Sequence, residues 1–341
     1  MGPIAKLRAL RQRAFTGVEE QLRLIHKVLR EAVAGLDNQQ RVLNDKLGDL
    51  VGAVSQLNPG MPNSSKIQGE TLDSLLDAIR ARATAPREAA RVFDRVLREV
   101  VRPHHHGLFW GDRLLTLDKS AEFRDDANFQ AALKHADSST GANQYESPDG
   151  ISWRYNTLIW AAKTCLRLPG DFVECGVFRG DMTWMITEMV DLQSAGKRFY
   201  LYDTFAGQDP KYSSQDDFPD SGDFFNFINR EYKSPGIEGQ VRRRFSNKPF
   251  VIVTKGVVPD VLRDIAPEKI AFLHLDMNSP RAEQGALEFL FDRISPGGFI
   301  IFDDYGWKQY RKQKETADRV MANWGLVILE LPTGQGLVVK T

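Results

Sequence analysis

Four carboxylates stand at the ends of three apolar runs in the C-terminal half of the chain. Asp203 follows Phe199-Tyr-Leu-Tyr202, Asp276 follows Ile270-Ala-Phe-Leu-His-Leu275, and Asp303-Asp304 follow Gly298-Phe-Ile-Ile-Phe302. Continuous apolar runs of this length are the signature of parallel strands covered on both faces. Open α/β sheets bind ligands beyond the carboxyl ends of their strands, so the four acids are aimed at one crevice. Asp276, Asp303 and Asp304 come from two adjacent strand ends. They offer hard oxygen donors with room for water and substrate hydroxyls, the coordination Mg²⁺ prefers. No Cys or His cluster accompanies them, which disfavours zinc. The plain alternative is that the acids cap the helices after the strands, and it applies best to Asp304.

Ahead of these acids lies Asp171-Phe-Val-Glu174-Cys-Gly176-Val-Phe-Arg-Gly180, a strand running into a glycine turn. Glycines let a ligand approach the backbone, and the next helix presents free N–H groups at its start. The spacing Glu174-x-Gly176-x-x-x-Gly180 is not the G-x-G-x-x-G of dinucleotide enzymes. Asp181, directly after the last glycine, would repel a pyrophosphate, whereas an acidic rim suits an ammonium and a sulfonium. Asp203, closing the second strand roughly twenty residues on, has the position to accept hydrogen bonds from ribose hydroxyls. Together these features favour an adenosine-containing cofactor, and S-adenosylmethionine over NAD. A purely structural strand–helix turn remains the alternative.

The elements that must position these groups follow from the pattern. Residues 153–168 read as a helix leading into the first strand. Strands and helices then alternate, with one long insertion after the second strand, which signals a doubly wound, mostly parallel α/β sheet of seven strands. Leu326–Leu331 and Leu337–Lys340, joined by Pro332-Thr-Gly-Gln-Gly336, form an antiparallel hairpin at the edge. The insertion, residues 208–246, is acidic first (Asp209, Asp216, Asp217, Asp220, Asp223) and basic later (Arg242-Arg-Arg244). Loops at this edge commonly serve as lids. Phe218, Phe224, Phe225, Phe227 and Tyr232 suit either stacking on an acceptor or a small core of an inserted helix. The Arg run reads as a solvated face rather than a phosphate site. Tyr145, Trp153 and Arg154, ahead of the first strand, are candidates to fold over the cofactor.

Residues 1–101 differ in character. Leu22, Leu29, Leu36, Leu43, Leu50 and Val54 or Leu57 repeat every seven residues, with Val18, Ile25 and Ala32 early and Leu47 and Val54 later as a second, shifted seam. This reads as a coiled coil or helical hairpin that joins copies of the chain into a homo-oligomer, or as an amphipathic helix packed on its own catalytic domain. After Asn58-Pro-Gly-Met-Pro-Asn-Ser-Ser65 a second helix, from about Thr71 to Val101, carries Leu75, Leu76, Ile79, Val92, Val96 and Leu97 on one face. His104-His105-His106 look like a metal tract, but neighbours cannot share a helical face, and a loop is the better reading. The organisation expected is thus a helical region over 1–101, a connecting and lid segment over 102–150, and a cofactor-binding domain over 151–341.

The 341 residues carry 45 basic and 45 acidic side chains, so no global field favours nucleic acid or an anionic membrane. No apolar run approaches the ~20 residues needed to span a bilayer, and the N-terminus has no apolar signal core. The two cysteines, Cys165 and Cys175, sit in apolar contexts as reduced thiols, which fits a cytoplasmic setting.

Four stretches together carry a family resemblance: Gly170-Asp-Phe-Val-Glu-Cys-Gly-Val-Phe-Arg-Gly180, Tyr202-Asp-Thr-Phe-Ala-Gly207, Leu273-His-Leu-Asp-Met-Asn278 and Pro296-Gly-Gly-Phe-Ile-Ile-Phe-Asp-Asp-Tyr305. The chain resembles the macrocin and mycinamicin sugar O-methyltransferases, of the class I S-adenosylmethionine-dependent methyltransferases. The resemblance spans most of residues 145–341. It implies a seven-stranded sheet with the edge hairpin, and Mg²⁺-assisted methyl transfer to a hydroxyl, commonly of a sugar on a natural product. By position, it implies that Glu174, Gly176 and Gly180 line the cofactor and that Asp203 holds its ribose. Cys175, Thr183, Thr204 and Gly256 complete the candidate cofactor set. Asp276, Asp303 and Asp304 become the metal ligands, matching the reading from donor chemistry alone.

One departure matters. The family usually carries a second acid two residues after the first, whereas here Asp276-Met-Asn278 has an amide. The proton-accepting role then passes to Asp276 or to His274, which strand alternation puts on the same side. Asp276, His274 and Asn278 are therefore the candidate catalytic set. Two rival readings stand beside an O-methyltransferase acting on a saccharide: an NAD-dependent enzyme, and a non-catalytic coiled-coil scaffold whose α/β domain senses cofactor.

Overall fold

A computed structural model describes residues 107–140, 149–219 and 223–341. The heptad region, the three adjacent histidines, Tyr145 and Asp220 lie outside them. The chain divides into two compact units, and the smaller contributes residues 107–121 and 149–150 to the described part. It holds a hairpin of β1 (Phe109–Gly111) and β2 (Leu114–Thr116). Asp112 and Arg113 both take positive φ in its two-residue turn, as the twist of a tight hairpin demands. The Asp149 carboxylate accepts from the Trp110 N–H at 2.6 Å.

The larger unit begins with α1 (Ala127–Thr140) and α2 (Ser152–Cys165), followed by β3 (Asp171–Cys175) and α3 (Asp181–Met189). Next come β4 (Phe199–Asp203), the inserted helices α4 (Phe224–Tyr232) and α5 (Ile237–Arg244), and β5 (Val251–Lys255). The remainder is β6 (Ile270–Leu275), α6 (Pro280–Leu290), β7 (Ile294–Phe302), α7 (Arg311–Ala322), β8 (Leu329–Glu330) and β9 (Gly336–Val339). Strand order across the sheet is β5-β4-β3-β6-β7-β9-β8. The first five strands pair in parallel, while β9 runs antiparallel to both β7 and β8. The seven-stranded α/β sheet and its antiparallel hairpin are therefore as expected. The order reverses at β3, whose neighbours β4 and β6 lie on opposite sides, and such a switch point opens a crevice at the strands' carboxyl ends.

Two expectations need correction. No α-helix joins β5 to β6: Pro259 and Pro267, which donate no N–H, leave space for only one 3₁₀ turn, Asp260–Arg263. The penultimate strand is two residues rather than six, because its edge position leaves Val327 and Leu329 exposed. At the centre, all six residues of β6 are buried. Phe172, Phe199 and Phe272 interlock across β3, β4 and β6, with centroids 5.2–6.3 Å apart. Each such ring contributes about 1.5–3 kcal/mol by leaving water, which makes these three strands a stiff base for the groups at their ends. No helix among the described residues is long and apolar enough to cross a membrane.

Candidate functional site

The glycine turn is built by steric need. Gly176 leaves β3 at φ +88°, and a Cβ there would stand 2.0 Å from the Asp276 carbonyl oxygen, so only glycine lets the ends of β3 and β6 approach so closely. Gly180, at φ +79°, starts α3. Asp203 holds the turn from the next strand: Oδ2 accepts from the N–H groups of Val177 at 2.7 Å and Phe178 at 2.9 Å, and Oδ1 from Phe205 N–H at 2.6 Å. Thr204 accepts from Ala206 N–H at 3.1 Å and donates to the Gly207 carbonyl, closing the turn after β4. Gly256 N–H donates to the Asp203 carbonyl at 2.9 Å. Asp203, Thr204, Gly176, Gly180 and Gly256 thus gather at one end of β3, β4 and β5.

Three sequence-predicted cofactor residues face inward instead. Glu174 is 1% exposed; it accepts the Thr183 hydroxyl at one oxygen and meets His274 Nδ1 at 2.9 Å with the other. Thr183 is itself fully buried. Glu174 points into one covered face of the sheet, beside its register partner His274 on β6, and Cys175 points into the other. Cys175 is fully buried, and burial pushes its thiol far above the ordinary range, so it is inert. Burial also raises Cys165, to about 11.

Asp181 calls for another correction. Its charge does not form an open acidic rim, because the buried guanidinium of Arg244 pairs with it and also donates to the Arg179 carbonyl at 2.9 Å. Arg242 and Arg243 are exposed as expected, so the basic run is split by helical periodicity.

The second group of acids forms the candidate metal centre. One oxygen each from Asp276, Asp303 and Asp304 lie within 4.8 Å of one another. Asp303 is 2% exposed and fully engaged: Oδ2 accepts from Arg154 Nη1 at 2.6 Å and Oδ1 from Gln335 Nε2 at 2.9 Å. Arg154 Nη1 also reaches Asp304 Oδ1 at 3.1 Å. His274, with no exposure, turns Nε2 toward Asp303 Oδ1 at 3.6 Å, too long for a hydrogen bond.

These contacts set the electrostatics. Burial works against charge on His274, but the carboxylates of Asp303 and Glu174 outweigh it and lift the ring to about 10. A proton on the ring is therefore favoured between the two carboxylates in the ion-free site. Burial likewise opposes ionisation of Asp303, yet Arg154 and His274 hold its carboxyl well below the usual carboxylate range. Asp276 goes the other way, raised by burial first and then by the charges of Asp303 and Asp304. The set fits a hard divalent cation, since three carboxylate oxygens converge.

Asn278 occupies the left-handed region at φ +54°, which asparagine tolerates. Its Nδ2 donates to the Tyr232 hydroxyl at 3.2 Å, and its buried Oδ1 has no hydrogen-bond partner. Gln208 Nε2 donates to its carbonyl at 2.8 Å, which ties the insertion to the end of β6. Ser279 caps α6 at Ala282 N–H, and Pro280 begins the helix. Of the insertion's aromatics, Phe218 is buried with Ile228 and Tyr310, and Phe224, Phe225, Tyr232 and Trp307 pack on them. The small-core reading therefore holds for most of them, while Phe227 is about half exposed. Trp153 meets Phe123 edge-on, and Arg154 lies on the acids.

Sequence reasoning did not foresee Arg154 on the acid pair, or the partners Gln335, Glu283 and Gln313. A signal existed for Arg154: it shares one face of α2 with Leu158, Ala161, Ala162 and Cys165, all buried. A lone arginine on an apolar face needs a buried partner. Gln335 sits in a turn and gives no such signal; Thr333 donates to its Oε1 at 3.0 Å, which leaves Nε2 for Asp303.

The chain is similar in sequence to known proteins. Residues 156–321 match the family described as macrocin-O-methyltransferase (TylF), in keeping with the resemblance read from the motifs. The chain is 30% identical over 159 residues to mycinamicin III 3''-O-methyltransferase of Micromonospora griseorubida, covering 45% of this chain and 62% of that protein. It is 28% identical over 166 residues to 8-demethyl-8-(2,3-dimethoxy-alpha-L-rhamnosyl)-tetracenomycin-C 4'-O-methyltransferase of Streptomyces olivaceus, covering 45% and 60%. The chain thus spans about three fifths of the curated relatives it matches. Among solved structures, the O-methyltransferase NovP aligns with a TM-score of 0.46 and 21% identity, over 55% of this chain and 79% of that one.

Proposed function

We propose, on the premise that residues 156–321 match the macrocin-O-methyltransferase family, that the chain is an S-adenosylmethionine-dependent O-methyltransferase. Its acceptor is a hydroxyl of a sugar or glycosylated natural product, and the reaction is assisted by a divalent cation, Mg²⁺ by donor chemistry. The observation that carries this reading is the convergence of Asp276, Asp303 and Asp304 beside the glycine turn of β3. The N-terminal region, residues 1–101, serves self-association, and residues 102–150 connect it to the methyltransferase domain.

Each side chain has a part in this reading. The turn Gly176–Gly180, held in shape by Asp203, receives the cofactor, with Thr204 and Gly256 fixing the neighbouring turns; Asp203 Oδ1 keeps a lone pair for a ribose hydroxyl. Glu174 and Thr183 support the turn from one face of the sheet and Cys175 packs into the other, so none of the three lines it. Asp276, Asp303 and Asp304 would hold the cation, which supplies Lewis-acid polarisation of the acceptor hydroxyl. Asp276 takes the hydroxyl proton on a carboxylate oxygen, because Asn278 has no basic group and His274 is fully buried with Nδ1 on Glu174. Asn278 Oδ1 orients the acceptor by accepting a hydrogen bond. Holding acceptor and methyl donor in line is the main source of rate in such a site.

The test is formation of S-adenosylhomocysteine by the full chain with Mg²⁺, S-adenosylmethionine and a panel of glycosylated acceptors. Turnover that needs the acceptor and falls on chelation is the expected result. Tight NAD binding with none for S-adenosylmethionine would sink the reading in favour of a dehydrogenase. Cofactor binding without turnover on any acceptor would favour a scaffold.

A further inference from the structure

The acid cluster already holds a cation of its own. Arg154 reaches from the buried face of α2 and places one nitrogen, Nη1, between Asp303 Oδ2 and Asp304 Oδ1, at 2.6 and 3.1 Å. Its guanidinium also lies over the Trp307 ring, 5.1 Å from the centroid. Both Asp303 oxygens are engaged, since Gln335 donates to Oδ1. A single nitrogen bridging two neighbouring carboxylates stands where an ion shared by the same two would stand. A guanidinium is weakly hydrated and planar, so it replaces water at buried acids more readily than an ammonium does. A divalent ion of the Mg²⁺ type needs its oxygens at about 2.1 Å. At that range a cation beside it is repelled strongly in a partly buried site.

We propose that Arg154 is a tethered counter-cation that competes with a divalent ion for Asp303 and Asp304. In the ion-free protein it keeps the two acids together and the site preformed. When an ion binds, it gives up the bridging position and shifts relative to Trp307. Arg154 thus sets the ion affinity of the site without being a ligand. This inference rests on the metal-assisted reading above, and its test separates the two.

Mn²⁺ is titrated into the full-length protein, with free Mn²⁺ read from its electron paramagnetic resonance signal, for wild type, Arg154→Gln and Arg154→Lys. The expected result is at least about tenfold tighter Mn²⁺ binding in Arg154→Gln, the scale of removing one like charge near a partly buried ion. Arg154→Lys, which keeps the charge but loses the planar fork, falls between them. Equal or weaker binding in Arg154→Gln, while the wild type binds, overturns the competition and leaves the metal reading standing. Absence of Mn²⁺ binding in both proteins overturns both. If circular dichroism shows Arg154→Gln misfolded, the wild type decides. Mg²⁺ then changes its tryptophan fluorescence, and the change disappears in Trp307→Phe. Mg²⁺ that displaces Mn²⁺ but leaves fluorescence unmoved overturns the proposal.

Discussion

The ends of β4 and β7 carry the same residue type at the same kind of position, yet the two carboxylates have different partners. Asp203, the last residue of β4, is bonded by three backbone N–H groups, so its charge shapes a loop. Asp303, after β7, is bonded by Arg154 and Gln335 and faces His274, so its charge is balanced by other charges. A carboxylate on neutral donors fixes geometry, and its loss is felt locally. A carboxylate in a buried ionic group is coupled to every other member, because removing it strands the opposite charges. One strand end is therefore a scaffold for binding, and the other is an electrostatic unit poised for chemistry.

Asp303→Asn tests the ionic side and carries the largest expected effect. It leaves Arg154 and His274 without their shared counter-charge, and stability falls by about 3–5 kcal/mol in urea unfolding. Turnover falls at least about a thousandfold, because the same group would hold the ion. Binding of S-adenosylhomocysteine, measured by calorimetry, stays within a few fold. Turnover within tenfold of wild type would dissolve the contrast between the two strand ends.

Asp203→Asn should act on the cofactor side alone. The amide must turn its NH₂ toward a backbone N–H that formerly met an oxygen, a mismatch of about 1–2 kcal/mol. Affinity for S-adenosylhomocysteine then drops about tenfold, while Mn²⁺ affinity is unchanged. A parallel fall in Mn²⁺ affinity would mean that the two ends are one coupled site.

Much of this contrast is legible in the residue pattern alone. Buried parallel strands write themselves as continuous apolar runs, so β3, β4 and β6 are placed to within a residue or two, and so is the carboxyl end of β7, although that strand begins four residues earlier, at Ile294. Asp276, Asp303 and Asp304 converge as their strand ends require. What the sequence hid was partnership. Glu174 reads as a cofactor contact, but alternation along β3 turns it down onto His274 and Thr183. Asp181 reads as a repulsive rim, but Arg244, some sixty residues away in the chain, neutralises it. His274 sits where a base belongs, and only its two acidic neighbours reveal why its ring favours the protonated form. Strand ends are set by local pattern, whereas pairing between distant polar groups depends on side-chain directions that no local pattern encodes.

The remaining prediction, read as a slope against pH, probes the layer that supports Asp276. Glu283 on α6 is 2% exposed, and its Oε1 accepts from Gln313 Nε2 at 2.7 Å, with Met277 N–H at 3.4 Å. Burial first, then the nearby charge of Asp304, push its pKa from 4.5 to about 8, against the bonds from Met277 and Gln313. The folded protein thus keeps a proton that the unfolded chain releases near pH 4.5. Between these values the unfolded state binds fewer protons, so stability declines as pH rises, by about 1.4 kcal/mol per unit at most, and levels off above the folded value. In Glu283→Gln this part of the slope vanishes, so the difference in melting temperature between variant and wild type widens from pH 5 to pH 8. A constant difference would show Glu283 ionised throughout, and the support under Asp276 would then be an ionic layer like the one around Asp303.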